Sequence, residues 1–185
     1  TPSIDLCPSV NGWHVAGPFA VPFEDALRTA FWPEEELRAS GRVDCSEPAG
    51  GDSSWVWTQR PPYAGASNEF VVDFNRALDG PHEYCVAYAA TTVIAPRAMR
   101  ARLAFGSDDG AVIWVNGREV FRHHIQRGYT SREQFIGVDL DEGENQIVVK
   151  VNQAEAGWMF GLHIEDEHGE IIPGLRVIGP EASSG

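Results

Sequence analysis

Two adjacent carboxylates, Asp108 and Asp109, lie between Ser107 and Gly110 in the motif SDDG. This run predicts a tight turn, because Asp side chains bond to nearby backbone and Gly adopts a positive φ without penalty. Two carboxylates on one turn repel each other unless a positive charge lies beside them. Calcium is the natural partner, since it is a hard cation that binds carboxylate and carbonyl oxygens. The alternative is a capped turn in which one Asp accepts backbone amides and the other is solvated.

The residues that follow this turn predict a β-hairpin. Residues 111–116 are rich in β-branched and aromatic side chains, which favour strands. Asn116-Gly117 is typical of a two-residue hairpin turn, because both central residues need a positive φ. Residues 118–122 then form the partner strand.

Trp114 is the candidate aromatic ligand of this hairpin. Its neighbours Ile113 and Val115 are expected to face the core, so alternation places Trp114 on the opposite face. Sugar sites commonly combine apolar or aromatic surfaces with a few orienting polar groups. Trp114 is therefore either a stacking platform or a side chain packed beneath a crossing loop.

Residues 123–133, HHIQRGYTSRE, form the least strand-like stretch of the second half and supply rings and donors. Arginine binds carboxylates with two parallel hydrogen bonds, which would suit uronic acids or sulfated sugars. The alternative is a solvated loop whose arginines pair with the surplus of acidic residues. We expect one depression with Trp114 as its floor and this loop at its rim. The candidate ligand-binding residues are Trp114, His124, Arg127 and Tyr129.

Several motifs together resemble a known family. SDDG followed by a strand that ends in VNG resembles the galactose-binding-like jelly-roll β-sandwich. The motifs WHVAGPF, CVAYAAT, ENQIVVKVN and GWMFGLHI occur in the expected order and span nearly the whole chain. Relatives serve as accessory carbohydrate-binding modules and as ancillary domains of large secreted polysaccharide-degrading enzymes. The SDDG turn also resembles that of protective-antigen-type lectin domains, whose adjacent aspartates hold calcium at a sugar site.

The strand pattern predicts the same architecture. Many short strands separated by Gly and Pro turns indicate a sandwich or jelly roll. We expect a single all-β domain over 1–185, a jelly-roll β-sandwich of two antiparallel sheets, with a short helical excursion near 23–40. The tail from about 180 is expected to be disordered. Predicted strands include 55–59, 69–75, 83–94, 100–106, 134–140, 146–152, 158–165 and an edge strand at 171–179.

Composition excludes several functions. The chain has 185 residues, 27 acidic and 14 basic, and a formal net charge of −13. Nucleic acids and anionic membranes require basic surfaces, so neither is an expected partner. Cys7, Cys45 and Cys85 lack the spacing of a zinc site, and one disulfide with a free thiol remains possible. We expect Cys85, inside an apolar strand, to be a core residue.

The sequence therefore predicts a non-catalytic carbohydrate-binding module. The resemblance implies attachment to, or excision from, a larger secreted or cell-surface polysaccharide-active protein, with a glycan and a catalytic domain of the same chain as partners. The alternatives are a structural sandwich that packs on a catalytic domain and, third, a jelly-roll polysaccharide lyase or hydrolase. No nucleophile elbow, metalloprotease motif or phosphate loop supports an enzyme, and His, Tyr and Arg are packed into one loop rather than spread over strands.

Overall fold

A computed structural model describes residues 10–46, 55–58 and 70–178. The predicted disordered tail and Cys7 lie outside these residues. No helix within the described ranges is long and apolar enough to cross a membrane.

The described residues are mostly strand. A 3-10 helix at Phe23–Asp25 and helix α1 at Trp32–Ser40 confirm the helical excursion predicted near 23–40. A short helix, α2, covers Phe74–Ala77. The strands are β1 Trp13–Ala20, β2 Val56–Thr58, β3 Val72–Asp73, β4 Cys85–Ala95, β5 Met99–Asp108, β6 Ala111–Val115, β7 Arg118–His123, β8 Gln134–Leu140, β9 Gly143–Gln153, β10 Met159–Asp166 and β11 Arg176–Ile178.

The strands form two antiparallel sheets, which confirms the predicted sandwich. The larger sheet has the order β2-β1-β4-β9-β6-β7, and β11 pairs with the end of β4. The smaller sheet has the order β3-β10-β5-β8. Alternation along each strand directs one set of side chains between the sheets. That core contains Trp13, Leu103, Phe105, Ile113 and Phe160, each fully buried.

A second apolar layer covers the outer face of the larger sheet. Val86, Tyr88, Val112, Trp114 and Val148 point away from the main core and form a separate buried cluster. The helical excursion supplies its other side through Ala26, Leu27, Leu37 and Val43. The larger sheet is therefore apolar on both faces, which explains the continuous hydrophobic run of β4.

A buried charge anchors the helical excursion to this sheet. The Nζ of Lys150 in β9 is fully buried, forms an ion pair with Glu34 of α1 and donates to the carbonyl of Thr29 at 2.8 Å. The Tyr88 hydroxyl donates to the same Glu34 oxygen at 2.7 Å. Burial lowers the pKa of Lys150, and the bond with Glu34 opposes that shift.

The strand predicted at 69–75 is observed at Val72–Asp73 as β3 and is wrong at its end, where residues 74 and 75 belong to α2. The Asp73 side chain accepts a hydrogen bond from the Arg76 backbone amide at 3.2 Å, so it caps a helix and ends β3. Phe74 then turns inward and is fully buried, with its ring centroid 4.9 Å from that of Trp158.

The two described cysteines, Cys45 and Cys85, are free thiols. Cys85 is 3% exposed, which confirms its predicted core position. Burial raises the pKa of each thiol to about 12, with added repulsion from Glu36 and Asp44 at Cys45. Neither thiol is therefore poised as a nucleophile at neutral pH.

Lys150→Met should destabilise the fold by about 3–5 kcal/mol, because it leaves a buried carboxylate without its cation. Urea denaturation measures this loss. Lys150→Met combined with Glu34→Gln should recover a large part of it. Arg28→Met removes an exposed ion pair with Asp25 on the same segment and should change stability by less than about 1 kcal/mol. Equal effects of the two single variants would contradict this anchoring role.

Candidate functional site

The paired-Asp turn joins β5 to β6 and is fixed to the end of β9. The Gly110 amide donates to Oδ1 of Asn152 at 2.8 Å, and the Asn152 amide donates to the Gly110 carbonyl at 3.2 Å. A Cβ at Gly110 would lie 2.3 Å from the His123 carbonyl oxygen. Glycine is therefore required here because the backbone at the end of β7 passes so close.

Asp109 is 3% exposed and acts as a cap for two neighbouring loops. Its Oδ1 accepts the backbone amide of Arg127, in the loop 124–133, at 2.9 Å. Its Oδ2 accepts the backbone amide of Ala154, in the loop 154–158, at 2.9 Å. One aspartate of the pair thus binds amides, as in the capped-turn alternative, but the amides come from other loops.

Asp108 is the half-buried carboxyl beside this cap. A Cβ built on Gly157 would lie 2.7 Å from its Oδ2, so the 154–158 loop packs directly against it. Burial, followed by the charge of Asp109 and a hydrogen bond with it, raises the pKa of Asp108 to about 7, while Arg127 opposes the shift. Near neutral pH this carboxyl either keeps its proton or gains from a nearby cation.

Arg127 is occupied by internal contacts. Its guanidinium donates to the Ser107 carbonyl at 3.0 Å and to Oε1 of Gln134 at 2.7 Å, and lies 3.2 Å from a carboxylate oxygen of Glu133. Its side chain is 11% exposed. The structure therefore uses Arg127 to brace the loop against the paired-Asp turn.

His124 and Tyr129 contact different parts of the molecule. Nε2 of exposed His124 lies 2.9 Å from the Phe23 carbonyl oxygen, and the two rings are 4.6 Å apart. Tyr129 is half-buried where the loop crosses the outer face of the smaller sheet. The loop lies directly on Gly106 of β5 at this point. A Cβ at Gly106 would lie 3.4 Å from the Tyr129 ring and 1.9 Å from the Thr130 carbonyl oxygen.

Trp114 lies on the other side of the sandwich. It is 8% exposed and packs in the second apolar layer, beneath the helical excursion. This is the packing alternative considered for Trp114. The expectation that Trp114, Arg127 and Tyr129 border one depression is wrong, because Trp114 leaves the larger sheet outward and Tyr129 covers the outside of the smaller one.

The sequence reasoning missed Tyr84, which the structure brings to the same end as Asp109. Tyr84 is 47% exposed, and its amide donates to the Ala154 carbonyl at 3.0 Å. Its hydroxyl donates to Oε1 of Glu155 at 2.7 Å. Two successive hydrogen bonds through Ala154 thus connect the Tyr84 backbone to Asp109. The sequence did contain a signal for Tyr84, because it is an aromatic residue that closely follows the Gly-Pro turn in GPHEY. The prediction of a strand at 83–94 included Tyr84 and so treated it as a strand residue.

These residues define what we call the paired-Asp cluster: Tyr84, Asp108, Asp109 and Glu155. Within the part of the chain that the structure describes, no group of three or more His, Cys, Asp or Glu side chains has metal-binding geometry. Two carboxylates supply only part of a calcium shell of six to eight oxygens. Backbone carbonyls, water or ligand hydroxyls would have to complete it.

Comparison with known proteins yields structural matches alone. No family model and no curated protein match the chain. A glycosyl hydrolase family 2 member from Bacteroides cellulosilyticus matches 87% of this chain and 21% of its own at 17% identity and a TM-score of 0.49. The PA14 domain of the MpAFP antifreeze protein matches over 91% of both chains at 10% identity and a TM-score of 0.49.

A PA14 sugar-binding domain from an RTX adhesin matches 50% of this chain and 46% of its own at 20% identity, with a TM-score of 0.31. The present chain spans about a fifth, 21%, of the length of the family 2 structure. The sandwich itself is seen directly in the two antiparallel sheets.

The stability of the Asp108→Asn variant, measured relative to that of the wild type, should increase as the pH rises from about 4 to about 7. In that window the folded wild type keeps a proton that the unfolded chain has lost, because the pKa of Asp108 is raised from 3.8 to about 7. Raising the pH therefore favours unfolding of the wild type and leaves the Asn variant free of this effect. Melting temperatures in metal-free buffer measure the difference, and a pH-independent difference would contradict it.

Trp114→Ala should lower the free energy of unfolding by about 3–5 kcal/mol, as truncation of a buried aromatic side chain does. Urea denaturation measures the loss. A near-neutral effect would instead indicate that the ring is accessible for stacking.

Proposed function

We propose that this chain is a non-catalytic glycan-binding module whose paired-Asp cluster binds sugar together with a calcium ion. The carrying observation is the half-buried Asp108 carboxyl beside Asp109, with an exposed Tyr84 ring at the same end of the sandwich. Burial and the charge of Asp109 raise the pKa of Asp108, and a bound cation would offset both effects. The exposed Tyr84 ring, whose hydroxyl donates to the Glu155 carboxylate, combines apolar surface with an orienting polar group, as sugar sites do.

The roles within the cluster follow from its contacts. Asp109 orients the site, because its oxygens already hold the 124–133 and 154–158 loops. Asp108 provides the carboxylate for the cation, and Tyr84 provides a face for a pyranose ring. Glu155 fixes the Tyr84 hydroxyl and can accept a sugar hydroxyl. Calcium bound with an incomplete protein shell would accept ligand hydroxyls as further oxygens.

The proposal extends to the biological setting. The module belongs to a larger, secreted or cell-surface, polysaccharide-active protein, in which it brings a catalytic domain of the same chain to its substrate. The motif order over nearly the whole sequence supports this setting. The structural role remains the second candidate, favoured by the internal use of Asp109 and the buried position of Trp114.

Calcium should raise the melting temperature of metal-stripped wild type, because a ligand that binds the folded state stabilises it by mass action. Asp108→Asn should abolish this response. Glu167→Gln removes the same charge at an exposed turn and should preserve it. Asp108 is the better target, since replacing Asp109 would also free two backbone amides. An unchanged melting temperature at millimolar calcium would refute the metal site.

A glycan array, with and without chelator, then identifies the sugar, and calorimetric titration compares the variants. Tyr84→Ala should weaken binding by about tenfold, which corresponds to roughly 1.4 kcal/mol of lost ring contact, while Tyr84→Phe keeps most of the affinity. Both variants should melt close to wild type because the ring is exposed. Absence of any glycan binding would leave the structural role as the better description.

A further inference from the structure

A cleft opens at the end of the sandwich opposite the paired-Asp cluster, next to the Asn116-Gly117 hairpin tip. It encloses about 260 Å³ between β7 and β8. Its floor is apolar and consists of Val115, Val120 and Val138. Arg100, which lines this cleft, and Asp108 lie eight residues apart on β5, a separation of about 26 Å at ~3.3 Å per residue. The cleft is therefore distinct from the paired-Asp cluster.

One wall of the cleft is fixed by an internal ion pair. The Arg100 guanidinium lies 3.1 Å from Oδ1 of Asp139, and both residues point outward from the smaller sheet. A Cβ at Gly137 would lie 2.6 Å from Nη2 of Arg100. The absence of a side chain at Gly137 thus lets the guanidinium lie flat across the strand.

Two other charges at the cleft are uncompensated. Arg118 and Asp141 are exposed, and within the ranges 10–46, 55–58 and 70–178 neither side chain has a hydrogen bond or ion pair. The backbone of Asp141 is held by the Asn145 side chain, with bonds of 2.8 and 2.9 Å. Arg118 remains unpaired although acidic residues outnumber basic ones by 27 to 14.

The backbone adds further polar groups beside this floor. β7 pairs with β6 and β8 pairs with β5, and each is an edge strand of its sheet in the described part of the chain. An edge strand presents N–H and C=O groups that lack a strand partner. Hydroxyl groups, which both donate and accept, match such a mixed edge.

We propose that this cleft binds a hexuronic acid, free or at the end of an acidic glycan. The carboxylate of the sugar pairs with the Arg118 fork, and its hydroxyls bind Asp141 and the strand edges. The C–H face of the ring packs on Val120, the half-buried member of the valine floor, because Val115 and Val138 are only 4% and 2% exposed. A neutral sugar leaves Arg118 without a partner. The proposal does not depend on the paired-Asp site.

Chemical-shift mapping with galacturonic and glucuronic acid, against glucose and glutamate, tests the proposal on the full chain. We expect the uronic acids alone to shift the amides of residues 115–120 and 137–141, at millimolar affinity. Arg118→Ala should weaken binding by roughly tenfold, and Arg118→Lys should rescue only part of it, because lysine lacks the bidentate fork. Neither change should alter the melting temperature.

Two controls separate this site from the first. Arg76→Ala removes an exposed arginine on α2 and should leave the uronic acid response intact. Asp108→Asn and chelator should also leave it intact. Equal binding of glucose, binding of glutamate alone, no response to any of the four compounds, or unchanged affinity in Arg118→Ala would each overturn the proposal. Loss of the response in Asp108→Asn would place uronic acid binding at the paired-Asp cluster instead.

Discussion

The buried carboxylate of Asp109 is the contact on which one whole end of the sandwich depends. A single side chain accepts amides from the loops that follow β7 and β9, while the backbone of its own turn pairs with Asn152. Three connections are thereby held in one arrangement. A buried carboxylate is stable here because each oxygen receives a backbone donor. The neighbouring Asp108 is half-buried, and burial together with the charge of Asp109 raises its pKa.

The larger sheet illustrates how a β-sandwich can carry a third layer. Its outer face is as apolar as its inner face, and the excursion at 21–43 covers it. Lys150 extends from this face into carbonyls and Glu34 of the excursion. Removing either partner would leave a buried charge, so the pair defines the position of the excursion as well as contributing to its attachment. The same layer buries Trp114.

The two proposed sites differ in how they are built. The paired-Asp cluster lies on loops that depend on Asp109, and it is coupled to a carboxyl whose charge is sensitive to pH. The cleft at the hairpin tip lies on regular strands, with a valine floor and a wall braced by Arg100 over Gly137. In our proposal a cation balances the charge of the first site, whereas the second offers Arg118, which has no ion pair within the described residues. A glycan that engages both would have to span the length of β5.

The sequence alone determined the class of fold. Alternation, the SDDG and Asn-Gly turns and the spacing of the apolar runs located most strands to within a few residues, because these signals are local. It also placed Cys85 in the core and the helical excursion near 23–40. The end of β3 was misplaced because Asp73 acts as a helix cap, which competes with a strand-forming pattern.

The candidate site was decided by tertiary structure. The alternation of side chains along the strand placed Trp114 on the face opposite Ile113. Whether that face is exposed to solvent depended on residues 21–43, which are distant in sequence. Tyr84 lies at the same end as Asp109 because β4 starts, and β5 ends, beside the end of β9, and no local signal records that neighbourhood. Arg127 was named from the sequence as a candidate ligand for acidic sugars, but the fold supplies its guanidinium with the internal partners Ser107 and Glu133. Strand formation follows from neighbours in sequence, whereas exposure and charge pairing follow from contacts between distant segments.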